Sequence, residues 1–256
     1  MRDLQPRRRR DTGTVLLLLG SLLLGSGCAT LEGDEYGVYD NFEGFNRWSY
    51  EFTDDVDRAV LAPVARGYQQ VVPNFVERGI TNVFANFYTP LSSVNGFLQG
   101  KPASGATDLG RFLVNSTIGL AGWFDPATSM DLRAQGEDFG QTLATWGWTR
   151  SRYVFLPFMG PTTVRDIPSR VVRSMFPRLV FGSDYHWGYG VVDVVQTRAN
   201  LLVTSDIRDA SSLDPYSFTR DAFLQRRKFV VYDGQPPLED LFDEFDEFGS
   251  EFEDEP

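Results

Sequence analysis

The chain has 256 residues and a formal net charge of −11 at pH 7, with 42% hydrophobic and 14% aromatic residues. The negative charge is concentrated in residues 233–256, which contain eleven acidic residues and no basic one, so that residues 28–232 are almost neutral. A nearly neutral body with an acidic tail and no basic stripe repels a phosphodiester backbone, which excludes nucleic acid as a partner.

The first 27 residues have the three zones of a secretory signal peptide: five arginines near the start, an apolar stretch at 14–24, and small residues before Cys28. The apolar stretch is about half of the roughly 20 residues that a transmembrane helix needs. The segment resembles a bacterial lipoprotein signal, in which a peptidase cuts before a cysteine that carries a diacylglyceryl group. It departs from that pattern at Gly25, where leucine is usual. We predict a signal peptide at 1–27 and a lipid anchor on Cys28.

An ordinary secreted protein with a free thiol is the alternative, but Cys28 is the only cysteine of the chain and an unpaired thiol is a liability in an oxidising compartment. The residue after the cysteine is Ala29 and not aspartate. By resemblance to sorted lipoproteins, this favours transfer to the outer membrane.

Helical periodicity dominates the rest of the chain. Apolar residues after Pro73 recur at i, i+4, i+7, i+8 and i+11, which predicts an amphipathic helix that Pro90 ends. Similar patterns predict further helices at 42–57, 91–99, 103–117, 137–147, 161–176, 188–205 and 215–231. Strand signals are few, the candidate being Tyr153 to Phe158.

The predicted fold class is therefore mainly α, a single compact domain of short amphipathic helices. A helix of about 15 residues spans about 22 Å, less than the roughly 30 Å of a hydrocarbon core. Such helices can lie in one leaflet but cannot cross the membrane singly.

Signals for enzymatic chemistry are weak. His186 is the only histidine, so the usual zinc sites cannot form, and the G-x-S-x-G motif of common lipases is absent. Adjacent carboxylates such as Glu137 and Asp138 point about 100° apart on a helix and do not face one substrate. Asp138 is more simply a partner for the dipole of its helix. We predict a protein that is not an enzyme and has no cofactor or metal.

Short blocks spread along the chain resemble the MlaA (VacJ) family of outer-membrane lipoproteins. The opening block is Asn41-Phe42-Glu43-Gly44-Phe45-Asn46-Arg47. Later blocks follow in the order of the family and include Pro63-Val64-Ala65, Asn82-Val83-Phe84, Leu98-Gln99-Gly100, Arg111-Phe112, Asn115-Ser116-Thr117, Phe139-Gly140-Gln141-Thr142-Leu143, Val164-Arg165-Asp166 and Asp214-Pro215-Tyr216. The family commonly has Asp-Pro where this chain has Asp40-Asn41-Phe42, and the acidic tail is outside the resemblance.

The resemblance implies a ring-like, membrane-embedded protein in the periplasmic-side leaflet of the outer membrane, with a central amphipathic channel. Misplaced outer-leaflet phospholipid would pass through it to a soluble periplasmic lipid carrier, which maintains lipid asymmetry, and trimeric porins are the associated proteins. We divide the chain into the signal peptide 1–27, a linker 28–39, a helical domain 40–234 and an acidic, disordered tail 235–256.

Three sets of residues are candidates for the channel or its gate. The opening block supplies Glu43, Phe45, Asn46 and Arg47, with an ordinary i, i+4 ion pair as the alternative. The helix predicted at 103–117 supplies polar groups that would meet headgroups, with capping and core hydrogen bonds as the alternative: Arg111, Asn115 and Thr117. A flexible gate is predicted at a third set, for which tight turns would explain the glycines equally well: Gly119, Gly122, Phe139 and Gly140.

Two other functions stay open at this level. One is a structural or adaptor envelope lipoprotein that docks through the acidic tail and has no lipid conduit. The other is a phospholipase without standard motifs, which released fatty acid would reveal.

Overall fold

The computed structural model describes residues 40–182 and 186–237, and these residues are mainly helical, as predicted. The predicted signal peptide, Cys28, the linker and residues 238–256 of the tail lie outside the described residues. The helices are α1 (Glu43–Val56), α2 (Ala62–Val71), α3 (Asn74–Leu98), α4 (Pro102–Thr117), α5 (Pro126–Ser129), α6 (Phe139–Thr145), α7 (Ile167–Phe181), α8 (His186–Ser211) and α9 (Pro215–Val231). An antiparallel hairpin, β1 (Tyr153–Leu156) and β2 (Gly160–Thr163), precedes α7.

Several helices begin where the sequence supplies a proline or a capping side chain. Proline occupies one of the first two positions of α4, α5, α7 and α9, where a missing N–H costs little. Asp138 caps α6: its carboxylate accepts from the Gln141 N–H at 3.0 Å, and the Gln141 side chain accepts from the Asp138 N–H at 2.9 Å. This capping box confirms that Asp138 serves the start of its helix.

The prediction that Pro90 ends a helix is wrong, because α3 runs through it from Asn74 to Leu98. A proline inside a helix costs about 3 kcal/mol. Tight packing of α3 along α4 offsets that cost: the Ser93 hydroxyl donates to the Gly105 carbonyl at 2.8 Å, and a β-carbon on Gly96 would lie 2.8 Å from the Gly105 nitrogen. Tertiary contact therefore overrides the local signal.

Other boundaries also differ from the sequence expectation. Helix α2 is not predicted from the sequence. It continues α1 through a π-helical stretch at Asp57–Leu61 and holds Pro63 in its first turn, where proline is tolerated. The helix predicted at 161–176 begins only at Ile167, because residues 160–163 pair with β1. The strand signal at 153–158 is confirmed for Tyr153–Leu156.

The apolar core is small. Its two clusters consist of Tyr50, Tyr153, Phe155 and Tyr216, and of Ala62, Ala65, Ala199 and Leu202. Within the described residues, eighteen polar or charged residues are buried against eleven apolar ones. Soluble domains bury apolar residues in preference, so the polarity of this interior is inverted.

Large apolar side chains point outward instead. On α7 and α8, Leu179 is 77% exposed and Val203 68%. Four aromatic rings form what we call the outer aromatic patch, with neighbouring centroids 5.5 to 6.0 Å apart: Phe45, Trp48, Phe52 and Phe158. No helix in residues 40–182 and 186–237 has both the length and the apolar character needed to cross a membrane.

Candidate functional site

A cavity of about 610 Å³ lies between α3, α4, α7 and α9, and we call it the polar cavity. Its volume falls within the roughly 300–1,000 Å³ of small-molecule sites. The wall of the polar cavity contains five carboxylates and four arginines: Asp108, Asp125, Glu137, Asp138, Asp166, Arg111, Arg170, Arg173 and Arg227. Which of these charges are neutralised within the protein decides what the cavity can bind.

Arg111 and Asn115, two of the predicted site residues, lie one turn apart on α4 and both reach the cavity wall. The guanidinium of Arg111 and the amide of Asn115 each donate to the carboxylate of Asp125 at 2.9 Å, and Asp125 caps α5 by accepting from the Thr128 N–H at 3.2 Å. Burial alone would raise the pKa of Asp125, but the hydrogen bonds from Thr128, Asn115 and Arg111 hold it below its usual value. These bonds favour the capping and core role for both side chains.

Arg227 of α9 bridges two carboxylates on the opposite wall. It donates to Asp138 at 2.5 Å and to Asp166 at 2.8 Å. Burial would raise the pKa of Asp138, but the hydrogen bonds and charge of Arg227 lower it. Gly140 lies against this bridge, because a β-carbon there would collide with Asp166 and Arg227, while its neighbour Phe139 lines the cavity.

The remaining two carboxylates of the wall are bonded as well. Asp108 accepts from the Ser92 hydroxyl at 2.5 Å and from the Gln135 N–H at 3.1 Å, and the Lys101 ammonium lies 3.1 Å from Glu137. In the part of the chain that the structure describes, no group of three or more His, Cys, Asp or Glu residues is arranged to hold a metal ion.

Arg170 and Arg173 of α7 differ from the other arginines of the wall. Among the described residues, neither forms a salt bridge with a carboxylate, whereas Arg111 and Arg227 do. Arg170 donates to the carbonyls of Met159, at 2.6 Å, and of Pro161. The Arg173 guanidinium lies 3.6 Å from the centroid of the Tyr88 ring. Sequence reasoning missed both arginines, although α7 carries three arginines and no acidic residue.

The opening block lies outside the cavity wall. Arg47 forms ion pairs with Glu43 at 2.7 Å and with Asp214 at 2.8 Å, which favours the helix-pair alternative. Asn46 is fully buried and its side-chain oxygen accepts from a backbone N–H of β1 at 2.8 Å, so that it fastens α1 to the hairpin. Phe45 is 47% exposed in the outer aromatic patch.

The other three predicted residues also lie outside the wall. Thr117 is exposed and donates back to a carbonyl of its own helix at 2.7 Å. Gly119 and Gly122 belong to a tight turn in which residues 120–122 have φ of 53°, 58° and 91°. A β-carbon on Gly122 would lie 2.6 Å from the β-carbon of Asn86, which lines the cavity. A gating role for these glycines stays a prediction.

A helical fold that buries polar side chains around a cavity and turns large apolar side chains outward is typical of proteins that contact a membrane or another protein through their outer surface. The chain belongs to the MlaA lipoprotein family, whose match covers residues 38–230. Proteins named "Intermembrane phospholipid transport system lipoprotein MlaA" from Shigella flexneri and from Escherichia coli (strain K12) are each 35% identical to it over 227 residues, 86% of this chain and 88% of the relative.

A solved structure supports the same assignment. It is described as "Structural basis for maintenance of bacterial outer membrane lipid asymmetry" and superposes with a TM-score of 0.66 at 34% identity, over 75% of this chain and 98% of that chain. The family resemblance drawn from the sequence blocks is confirmed.

Proposed function

We propose that this protein is an outer-membrane lipoprotein that removes mislocalised phospholipid from the outer leaflet and passes it to a periplasmic carrier. The observation that carries the proposal is the inverted polarity, with charged groups around the polar cavity and apolar side chains outside. Two relatives named for intermembrane phospholipid transport support it, as does the solved relative described in terms of lipid asymmetry.

A phospholipid has two parts with opposite needs. Exposing two acyl chains of about 16 carbons to water costs on the order of 25 kcal/mol, at about 0.8 kcal/mol per methylene. A charged headgroup is equally unsuited to an apolar environment unless it is paired and hydrogen-bonded. A passive conduit therefore needs a polar path beside an apolar one. The polar cavity would serve the headgroup, and the apolar outer faces of α7 and α8 would serve the chains.

Transfer of this kind needs no covalent step. The sequence has no phosphate-loop motif for ATP, so direction would follow lipid abundance and uptake by the carrier downstream. We therefore propose a transport component without a catalytic site. Fatty acid released by the purified protein would contradict this.

The anchor and the outer surface together suggest a location. Lipid chains on Cys28 would hold the protein in the periplasmic-side leaflet of the outer membrane, and the outer aromatic patch would enter the same leaflet, as interfacial aromatics do. The family resemblance implies a trimeric porin and a soluble periplasmic lipid carrier as partners.

The test measures phospholipid on the cell surface with an amine-reactive label that does not cross membranes. A deletion strain is complemented with the wild type, with a Cys28→Ala variant that keeps a secretion signal, or with a chain lacking residues 236–256. We expect labelled phospholipid to rise in the deletion strain and to return to normal with the wild type and the truncated chain, but not with Cys28→Ala. Unchanged labelling in the deletion strain would sink the proposal. Loss of function on truncation would support the adaptor alternative.

A further inference from the structure

Most charged side chains in the wall of the polar cavity are bonded to other groups of the protein, but two arginines form no salt bridge. Its five carboxylates all accept hydrogen bonds or ion pairs, and Arg111 and Arg227 are paired with carboxylates. Two positively charged residues of α7 form no salt bridge with a carboxylate among the described residues: Arg170, on which Asp166 and Asp138 act only through space, and Arg173, whose charge partly offsets the effect of burial on the pKa of Asp193. A cavity wall with two such cations favours an anion from outside the protein.

The two arginines are placed to act together. They are three residues apart on one helix, so their side chains lie on neighbouring positions of the same face. Arg170 is half-buried, and Arg173 is exposed, so the pair runs from solvent towards the interior. Burial lowers the pKa of Arg170, and the charges of Asp166 and Asp138 offset this only in part.

Both side chains keep donors for a ligand. A guanidinium has five N–H donors, and Arg170 directs donors to two carbonyls of the hairpin. Arg173 stacks on the Tyr88 ring, which engages the face of the guanidinium and leaves its edge to donate. The planar fork of arginine matches the oxygens of a phosphate.

The neighbouring residues of α7 are apolar and exposed. Val171, Val172 and Met175 are 44%, 46% and 52% exposed, and Val172 also lines the cavity. The helix thus presents a cationic edge to the cavity and an apolar edge beside it, the two surfaces that a phosphate bearing acyl chains requires.

We propose that Arg170 and Arg173 form the site that binds the phosphate of a phospholipid headgroup in the polar cavity. This inference rests on the proposed function and gives it a location. The carboxylates held by Arg227 and Arg111 are ion-paired, and Asp108, which also lines the cavity, is held by hydrogen bonds from Ser92 and Gln135.

The test compares two lipids that differ only in the phosphate, phosphatidic acid and diacylglycerol with the same chains, bound to the full chain purified in detergent. Charge-assisted hydrogen bonds predict that Arg170→Gln and Arg173→Gln each weaken phosphatidic acid binding about tenfold, and the double variant about a hundredfold. Binding of diacylglycerol should not change. Arg178→Gln is the matched control, because it removes the same charge from α7 at a position outside the cavity wall, and it should bind as the wild type does.

Two further measurements keep the outcome decisive. Arg170 also donates hydrogen bonds to the hairpin, which Arg170→Gln removes. If circular dichroism shows a loosened fold, the test rests on Arg173→Gln alone. Arg173→Lys should recover part of the affinity. Inorganic phosphate alone should bind at least about a hundredfold more weakly than phosphatidic acid, because it lacks the chains, and equal binding would overturn the assignment to a lipid.

The two proposals fail in different ways. Wild-type affinity in the double variant would overturn the phosphate site and leave the transport function standing. A wild-type protein that binds no phospholipid would overturn both.

Discussion

Adding a single methyl group at Gly140 should unsettle the wall of the polar cavity. The new β-carbon would collide with the Asp166 carboxylate and lie 2.5 Å from the Arg227 guanidinium. Those side chains are only 8% and 12% exposed, so neither can swing into solvent. Overpacking costs about 1–3 kcal/mol, and breaking a buried ion pair outright costs about 3–5 kcal/mol. Since the pair is displaced and not removed, and alanine gains up to about 1 kcal/mol in helix propensity, we expect Gly140→Ala to lower the free energy of unfolding by about 2–3 kcal/mol.

Gly44→Ala is the matched control. Gly44 is also the second residue of its helix, but a β-carbon there meets nothing within 4 Å. We expect it to raise stability by up to about 1 kcal/mol. The assay is urea unfolding followed by far-ultraviolet circular dichroism in one detergent. A Gly140→Ala protein as stable as the wild type would refute the packing argument, and if its lipid transfer nevertheless fell, the gate role of Gly140 would be favoured.

Three further predictions concern α1 and the outer surface. Asn46→Ala removes a buried amide that fastens α1 to β1, and we expect a loss of about 2–3 kcal/mol in the same unfolding assay; a loss under about 0.5 kcal/mol would contradict this role. The hydrogen bond from Arg47 lowers the pKa of Asp214 to about 2. The contribution of Asp214 to the free energy of unfolding is therefore fully present above the unfolded pKa of about 3.9 and is lost as the pH falls from about 4 to about 2. In an Asp214→Asn protein, the free energy of unfolding should depend less on pH in that range. Trp48 and Phe158 are 57% and 65% exposed, so replacing either with serine should weaken binding to phosphatidylethanolamine and phosphatidylglycerol vesicles several-fold at an unchanged melting temperature, and equal binding would argue against lipid contact there.

Periodicity in the sequence predicts most of the helices because an apolar face repeats every 3.6 residues whether it meets a core or a lipid. For the same reason, the sequence does not reveal that the interior is polar, because the spacing of apolar residues does not tell which side of a helix points inward. Pro90 shows a second limit. Local rules end a helix there, and the contact between Ser93 and Gly105 that lets it continue is visible only in the folded chain.

Arg111 and Asn115 lie one turn apart on α4 and close in sequence to Asp125, their shared partner, and both reach the cavity wall. A role for them at headgroups stays a prediction. Arg170 and Arg173 were missed because what distinguishes them is that they line the cavity without forming a salt bridge among the described residues. That is a property of tertiary packing and has no signature in the residues nearby.

The Arg227 bridge joins three parts of the chain that are far apart in sequence. Its two carboxylate partners precede it by 89 and 61 residues, and Arg227 itself belongs to α9, close to the end of the described chain. Contacts between such distant residues form late, because a long loop must close before they gain anything. This part of the wall therefore closes only when α9 packs against it, and a chain without α9 would hold Asp138 and Asp166 without the arginine that joins them.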